Sequence, residues 1–150
     1  MGKNNKNSDL KLNKNILCES ILKINNNVEL SEWYSLDENE LEIKVESNIG
    51  IKKDDPATAK LLLGVKIFDE EYIEKDKPFY CFVEMEFYFR DDEGEYTEDS
   101  PVAAKFSLNM VSIAYPYIRA HISTLSAISG IEQIHIPTIN VYNTLTNDED

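Results

Sequence analysis

The residue types that do chemistry are sparse in this chain. It holds two histidines, His121 and His135, and two cysteines, Cys18 and Cys81. A general base, a zinc cage or an activated thiol needs several such groups converging. These four are scattered, with no zinc-ligand spacing and no CxxC pair. Asp91-Asp92-Glu93-Gly94-Glu95 is acidic enough to attract a cation. It lacks the spacing and the closing bidentate glutamate of a calcium loop. The five glycines make no phosphate-cradling loop. Glu84 and Glu86 stand one strand repeat apart, the pattern of an exposed strand face. His121 falls near an apolar helix stripe and reads as structural, and His135 reads as a surface residue. The expectation is a protein that is not an enzyme and uses no metal and no cofactor.

Binding is better supplied. Trp33, the single tryptophan, is followed by Tyr34. An indole beside a phenol in a connection is either a lid on the core or part of an apolar groove. Near the other end, Ile134, Ile136, Ile139 and Val141 alternate with Gln133, His135, Thr138 and Asn140. That is extended-chain periodicity, and Pro137 keeps it out of a sheet centre. Such an arm must lie on something. Its isoleucines either pack into the core or line a groove for another polypeptide.

The elements that position these residues follow from periodicity. Residues 16–30 form a modest strand, interrupted by Asn25-Asn26-Asn27, which suits an edge or a bulge. Residues 40–45 alternate cleanly and continue through Ile49 and Ile51, and residues 52–56 turn the chain. Residues 60–72 make a third strand. Residues 79–90 make the strongest, with Phe79, Cys81, Val83, Met85, Phe87 and Phe89 on one face and Tyr80, Phe82 and Tyr88 among those on the other. A helix then opens at Ser100-Pro101, with Ser100 as cap and Pro101 in the first turn. Val102, Phe106, Met110, Ile113, Tyr117, His121, Leu125 and Ile128 recur at helical spacing, widened by Ile118 and Ile122. Pro116 predicts a kink, and Gly130 a left-handed stop. The class is α+β: a four-stranded antiparallel sheet, one long Pro-kinked helix and an extended arm. One helix covers one sheet face only, and this helix is apolar on more than one stripe. Both features argue for oligomerisation.

Composition bounds the rest. A chain of 150 residues reads as one domain. A net charge of −13 repels nucleic acid and anionic membranes, so neither is an expected partner. Thirteen acids fall in residues 69–99 against Lys75, Lys77 and Arg90. That stretch is either a solvated face or a docking surface for a basic partner. Cysteine usage fits a reducing cytoplasm, with Cys81 buried and inert in its strand. The Asn- and Lys-rich residues 1–15 read as a disordered tail and not as a signal peptide. The longest uncharged run, residues 106–118, is too short to insert in a membrane.

Residues 115–141 carry a specific resemblance. Tyr115-Pro116-Tyr117-Ile118-Arg119, then Ile122, Gly130, the Ile134/Ile136 pair, Pro137, Asn140 and Val141, resemble the SecB family of protein-export chaperones. There an aromatic-Pro-Tyr-x-Arg run lies on the long helix and an apolar crossover loop follows a glycine. The resemblance implies a single domain over residues 16–145, with an acidic tail at 146–150. It also implies an apolar client groove formed by Trp33, Tyr34, Ile134, Ile136, Ile139 and Val141. Dimers would pair into a tetramer, with Ile113, Tyr117 and His121 at the oligomer interface. In the family a SecA-like translocase motor docks on acidic strand positions. Glu29 matches one of them, while Asn25 stands where a second acid is expected. Two further departures are a shorter loop between the first two strands and a second C-terminal helix that is missing or one turn long. The implied function is an ATP-independent holdase for unfolded or precursor polypeptides. The alternatives are a SecB-like chaperone dedicated to one client such as an antitoxin, or a non-chaperone oligomeric adaptor. Client breadth separates them.

Overall fold

Two rows of alternating apolar side chains make the centre of the fold. In the computed structural model, which describes residues 10–36, 38–130, 134 and 136, they lie side by side. Leu61, Leu63 and Val65 of β3 (Asp55–Ile67) face Phe87, Met85 and Val83 of β4 (Phe79–Asp91). Leu61, Leu63, Val65, Phe79, Val83, Phe87 and Phe89 are fully buried. β2 (Ile43–Lys52) pairs with β3, and β1 (Leu10–Ile24) with β4. All pairs are antiparallel, in the order β1-β4-β3-β2. Three strands meander and the first returns beside the last, which is a Greek key.

The strand bounds correct the sequence expectation in three places. β1 begins at Leu10, so residues 10–15 belong to the sheet and not to a tail. Leu10 is buried opposite Asp91. The Leu10/Leu12 alternation is short and sits among lysines and asparagines, which masks it. β1 also ends at Ile24, short of residue 30, and a five-residue helix, α1 (Leu30–Tyr34), forms in the connection that follows. β3 stops at Ile67 and does not reach residue 72. Phe68 turns into the left-handed region at φ 60, a conformation costly for a bulky residue and incompatible with a continuing strand.

The helix α2 (Val102–Ile128) packs across one sheet face. Its N-cap is Pro101, without a side-chain cap. Ser100 instead closes a turn with Thr97, its N–H donating to Thr97 Oγ1 at 3.0 Å. The break in the helix is not at Pro116, whose dihedrals stay helical. It lies at Phe106 (φ −122, ψ 25). Pro116 is exposed, so the carbonyl it leaves unbonded faces water and the distortion is absorbed there. No proline or glycine marks Phe106. Gly130, at φ 80, ends the helix as its type predicts.

The buried line along α2 runs through Val102, Phe106, Met110, Ala114, Ile118, Ile122 and Ser126. These are i, i+4 steps, and each drifts about 40° around a helix of 3.6 residues per turn. Six such steps exceed half a turn, so no single flat partner covers the line. Ile134 covers the far end, bonded to Ser123 and Ser126.

Candidate functional site

Four aromatic side chains, Tyr34, Trp33, Phe68 and Phe79, form a ladder at one end of the sheet. α1 buries Trp33 at 8% exposure and turns Tyr34 outward at 39%. Trp33 meets Tyr34 edge-on at 5.4 Å between ring centroids, and Phe68 at 5.6 Å. Phe68 meets Phe79 at 5.3 Å. Each edge-to-face pair is worth about 0.5–1.5 kcal/mol beyond area burial. The left-handed turn at Phe68 is what aims its ring between the other two. Its N–H donates to the Glu42 carbonyl at 2.8 Å, which holds the turn in place. Trp33 is therefore the first of the two things its sequence context allowed, a lid on the core.

Phe79 also lines a cleft of about 490 Å³, together with Asn25, Val28, Glu29, Leu30 and Gly130 among others. Asn25 builds it. Its backbone N–H donates to the Pro78 carbonyl at 2.9 Å and its amide to the Lys77 carbonyl at 3.0 Å. Its side-chain oxygen accepts the Asn27 N–H at 3.0 Å. The asparagine run is a turn that lashes the end of β1 to the start of β4. Asn25 is 2% exposed and fully engaged, so this position presents no group to a partner. Glu29 is exposed at the cleft.

Ile134 and Ile136 are buried, at 0% and 5% exposure, within the same core cluster as Trp33. The structure thus seats them as packed side chains and not as the wall of an open groove. Ile134 is held from the helix. Its N–H donates to Ser126 Oγ at 2.8 Å and its carbonyl accepts from Ser123 Oγ at 3.1 Å. The i, i+3 serine pair was the signal available in the sequence, and it went unread because serines mid-helix are common. Ile139, Val141, His135 and residues 142–150 lie outside the described residues.

The three expected interface residues lie off the buried line of α2. Tyr117 is 47% exposed, and Ile113 and His121 are half-buried. Tyr117 leans on Phe87 at 6.0 Å between centroids, and His121 Nε2 hydrogen-bonds Ser20 Oγ at 2.9 Å. Ile128, further along the same flank, is 77% exposed. The flank is an apolar strip beside the edge strand, on which Leu17 is 45% exposed.

Among the described residues the titratable groups do not converge on a reacting centre. Among the described residues no group of His, Cys, Asp or Glu is placed to hold a metal ion. Burial pushes the Cys81 thiol up to about 12, which keeps it protonated and a poor nucleophile. Cys18 is exposed at a β1 irregularity, and partial burial with the carboxylates of Glu86 and Glu84 raises its thiol too. The Tyr88 hydroxyl donates to Glu86 at 2.9 Å and holds that carboxyl low. Glu86 is therefore an ionised strand-face group, not a proton donor near neutrality. No described helix is long and apolar enough to cross a membrane.

This Greek-key sheet under one long helix, with Ile134 and Ile136 packed into the core, is the SecB-like fold. A SecB-like chaperone of Mycobacterium tuberculosis, solved with a peptide from an antitoxin, superposes at TM-score 0.61. The match covers 89% of each chain at 10% sequence identity. A protein of unknown function from Streptococcus agalactiae matches at TM-score 0.42 and 6% identity, over 86% of this chain and 97% of that one, a likeness too loose to define a fold. In sequence, an uncharacterized protein of Methanocaldococcus jannaschii is 28% identical over 110 residues, 73% of this chain and 68% of that protein. No family model matches the chain.

Proposed function

We propose that this protein is an ATP-independent holdase that binds unfolded polypeptide segments at the aromatic end of its sheet. The observation that carries the reading is the SecB-like fold, with the Tyr34–Trp33–Phe68–Phe79 ladder reaching, through Phe79, a cleft that Gly130 at the helix terminus also lines. A client needs no chemistry, only burial. Each aliphatic side chain it buries contributes about 1.5–3 kcal/mol before ordering costs. Assembly through the Ile113–Tyr117–His121 flank belongs to the same proposal, since an exposed apolar strip on an acidic protein asks for a partner. Export coupling has less support. Glu29 is open to a basic docking tail, but Asn25 is a buried structural residue.

A second reading is favoured by one observation. The matched chaperone was solved with an antitoxin peptide, which supports a chaperone dedicated to one such client. Aggregation suppression separates the two. Purified protein at stoichiometric amounts, without nucleotide, should suppress light scattering by several unrelated, chemically unfolded proteins. Suppression of none, by a folded oligomer, would reject the general holdase and leave the dedicated one.

A further inference from the structure

α1 is a partition one helix thick. Leu30, Ser31 and Glu32 line the cleft, and Trp33 of the same helix meets the Phe68 ring. Phe79 belongs to both spaces, lining the cleft and touching Phe68 edge-on. Asn25, Asn26, Asn27, Glu29, Ser31 and Glu32 give half of the cleft a polar lining. Burial of apolar surface is what holds an unfolded chain, and the rings that offer it lie behind the partition. One indole pins that partition. α1 has five residues, against about 12–15 for a helix that stands alone, and Glu29 gives it no side-chain cap. Trp33 is the residue it buries, with Leu30 packed partly against the core. The chain is tied down on either side. The Asn25 amide donates to the Lys77 carbonyl at 3.0 Å, and the Lys77 ammonium pairs with the Glu42 carboxylate at 2.9 Å. The Glu42 carbonyl accepts the Phe68 N–H at 2.8 Å. A short helix between two fixed points, seated by one side chain, is built to swing out and return.

We propose that α1 is a lid over the client site, pinned shut by Trp33 in the free protein. Lifting it takes the indole off Phe68 and joins the cleft to the Phe68 and Phe79 rings. The inference rests on the holdase reading and adds its regulation. The resemblance places Trp33 in the groove that clients touch. As the pin of a lid it competes with them, and the two roles have opposite signs in a binding experiment. A closed lid lowers the apparent affinity by the open fraction, so a change that favours opening tightens binding in proportion. The lid also keeps the rings from water and from other copies of the chain until a client arrives.

The test measures binding of reduced, alkylated ribonuclease A, a tryptophan-free chain that cannot refold, by the anisotropy of a label on that client. Trp33→Phe weakens the pin and leaves Phe68 and Phe79 in place, so the client should bind about fivefold tighter than to the unaltered protein. Trp33→Ala removes the pin and should bind it about tenfold tighter or better. Equal or weaker binding by either folded variant would overturn the proposal. If the alanine variant does not fold, the phenylalanine variant and quenching of the unaltered protein decide. Saturating client should raise acrylamide quenching of Trp33 severalfold, as the buried indole leaves the core. Unchanged or lower quenching would overturn the lid. A protein that suppresses aggregation yet shows neither effect keeps the holdase reading and loses the lid. Client binding in no form rejects both.

Discussion

Replacing Ser126 with alanine tests the attachment of Ile134 to the helix. The hydroxyl accepts the Ile134 N–H at 2.8 Å and donates to the Ser123 carbonyl at 2.9 Å, with Ser126 at 0% exposure. Alanine fills most of the volume, so the cavity contribution is small. The cost is the stranded Ile134 amide, about 1–3 kcal/mol for a buried donor without a partner. Ser123→Ala removes only a donor to a carbonyl in a part-buried bond, about 0.5–1.5 kcal/mol. The two effects should not add, because both act through Ile134. Both bonds join Ile134 to side chains of α2 and not to the sheet, so the loss should be local. Ser126→Ala is therefore expected to speed hydrogen exchange at the Ile134 amide by about 5- to 150-fold, the equivalent of that energy range. Amides of β3 and β4 should change little. An Ile134 exchange rate within about twofold of the unaltered protein would refute the reasoning, because a bond of this worth cannot be lost silently.

Phe68→Ala should destabilise by about 3–5 kcal/mol through loss of two ring contacts and the space they fill. Phe68→Gly should be no worse, because glycine relieves about 1–2 kcal/mol of left-handed strain. A glycine variant clearly less stable than the alanine one in urea denaturation would contradict that account. Burial pushes the Asp91 carboxyl up, but hydrogen bonds from the Tyr96 hydroxyl and the Glu93 and Gly94 N–H groups outweigh it and hold it below its ordinary 3.8. A lowered folded pKa means stability present above 3.8 and lost as pH falls through the folded value. Tyr96→Phe should shrink that acid-side loss, and an unchanged pH profile of unfolding would count against the Tyr96 contact. Tyr117→Glu places a charge on the exposed apolar flank of α2 and should dissociate the assembly in sedimentation velocity. An unaltered sedimentation coefficient would remove that flank from the interface.

Much of the fold was legible because alternation and helical spacing are strong where burial is one-sided. Residues 79–90 read as the best strand and form β4, packed on both edges. Gly130 read as the helix stop and is one, because only glycine enters the left-handed region without strain. The misses have specific causes. β1 is an edge strand with residues 13–20 exposed, so its sequence carries little alternation to detect. The break at Phe106 has no proline or glycine to announce it, whereas Pro116, the residue that announces a kink, is exposed and stays helical. The site was half legible. Glu29 was picked out and lines the cleft, while Trp33 was picked out and packs in the core. The groove expected at Ile134 and Ile136 is filled by those residues themselves, and periodicity cannot tell an apolar wall from an apolar plug. Phe68 was unreadable as a ladder member, since its role depends on one backbone torsion.

The central claim is that unfolded chains bind at the aromatic end of the sheet, and the single tryptophan reports on that place directly. Trp33 fluorescence should be followed while a reduced, alkylated protein that cannot refold is titrated into the native protein. The account predicts a saturable shift of the Trp33 emission at stoichiometric client, without nucleotide, and a matching rise in light-scattering protection. Client binding seen by sedimentation with the Trp33 emission unmoved would place the site elsewhere. No binding at all would contradict the chaperone reading itself.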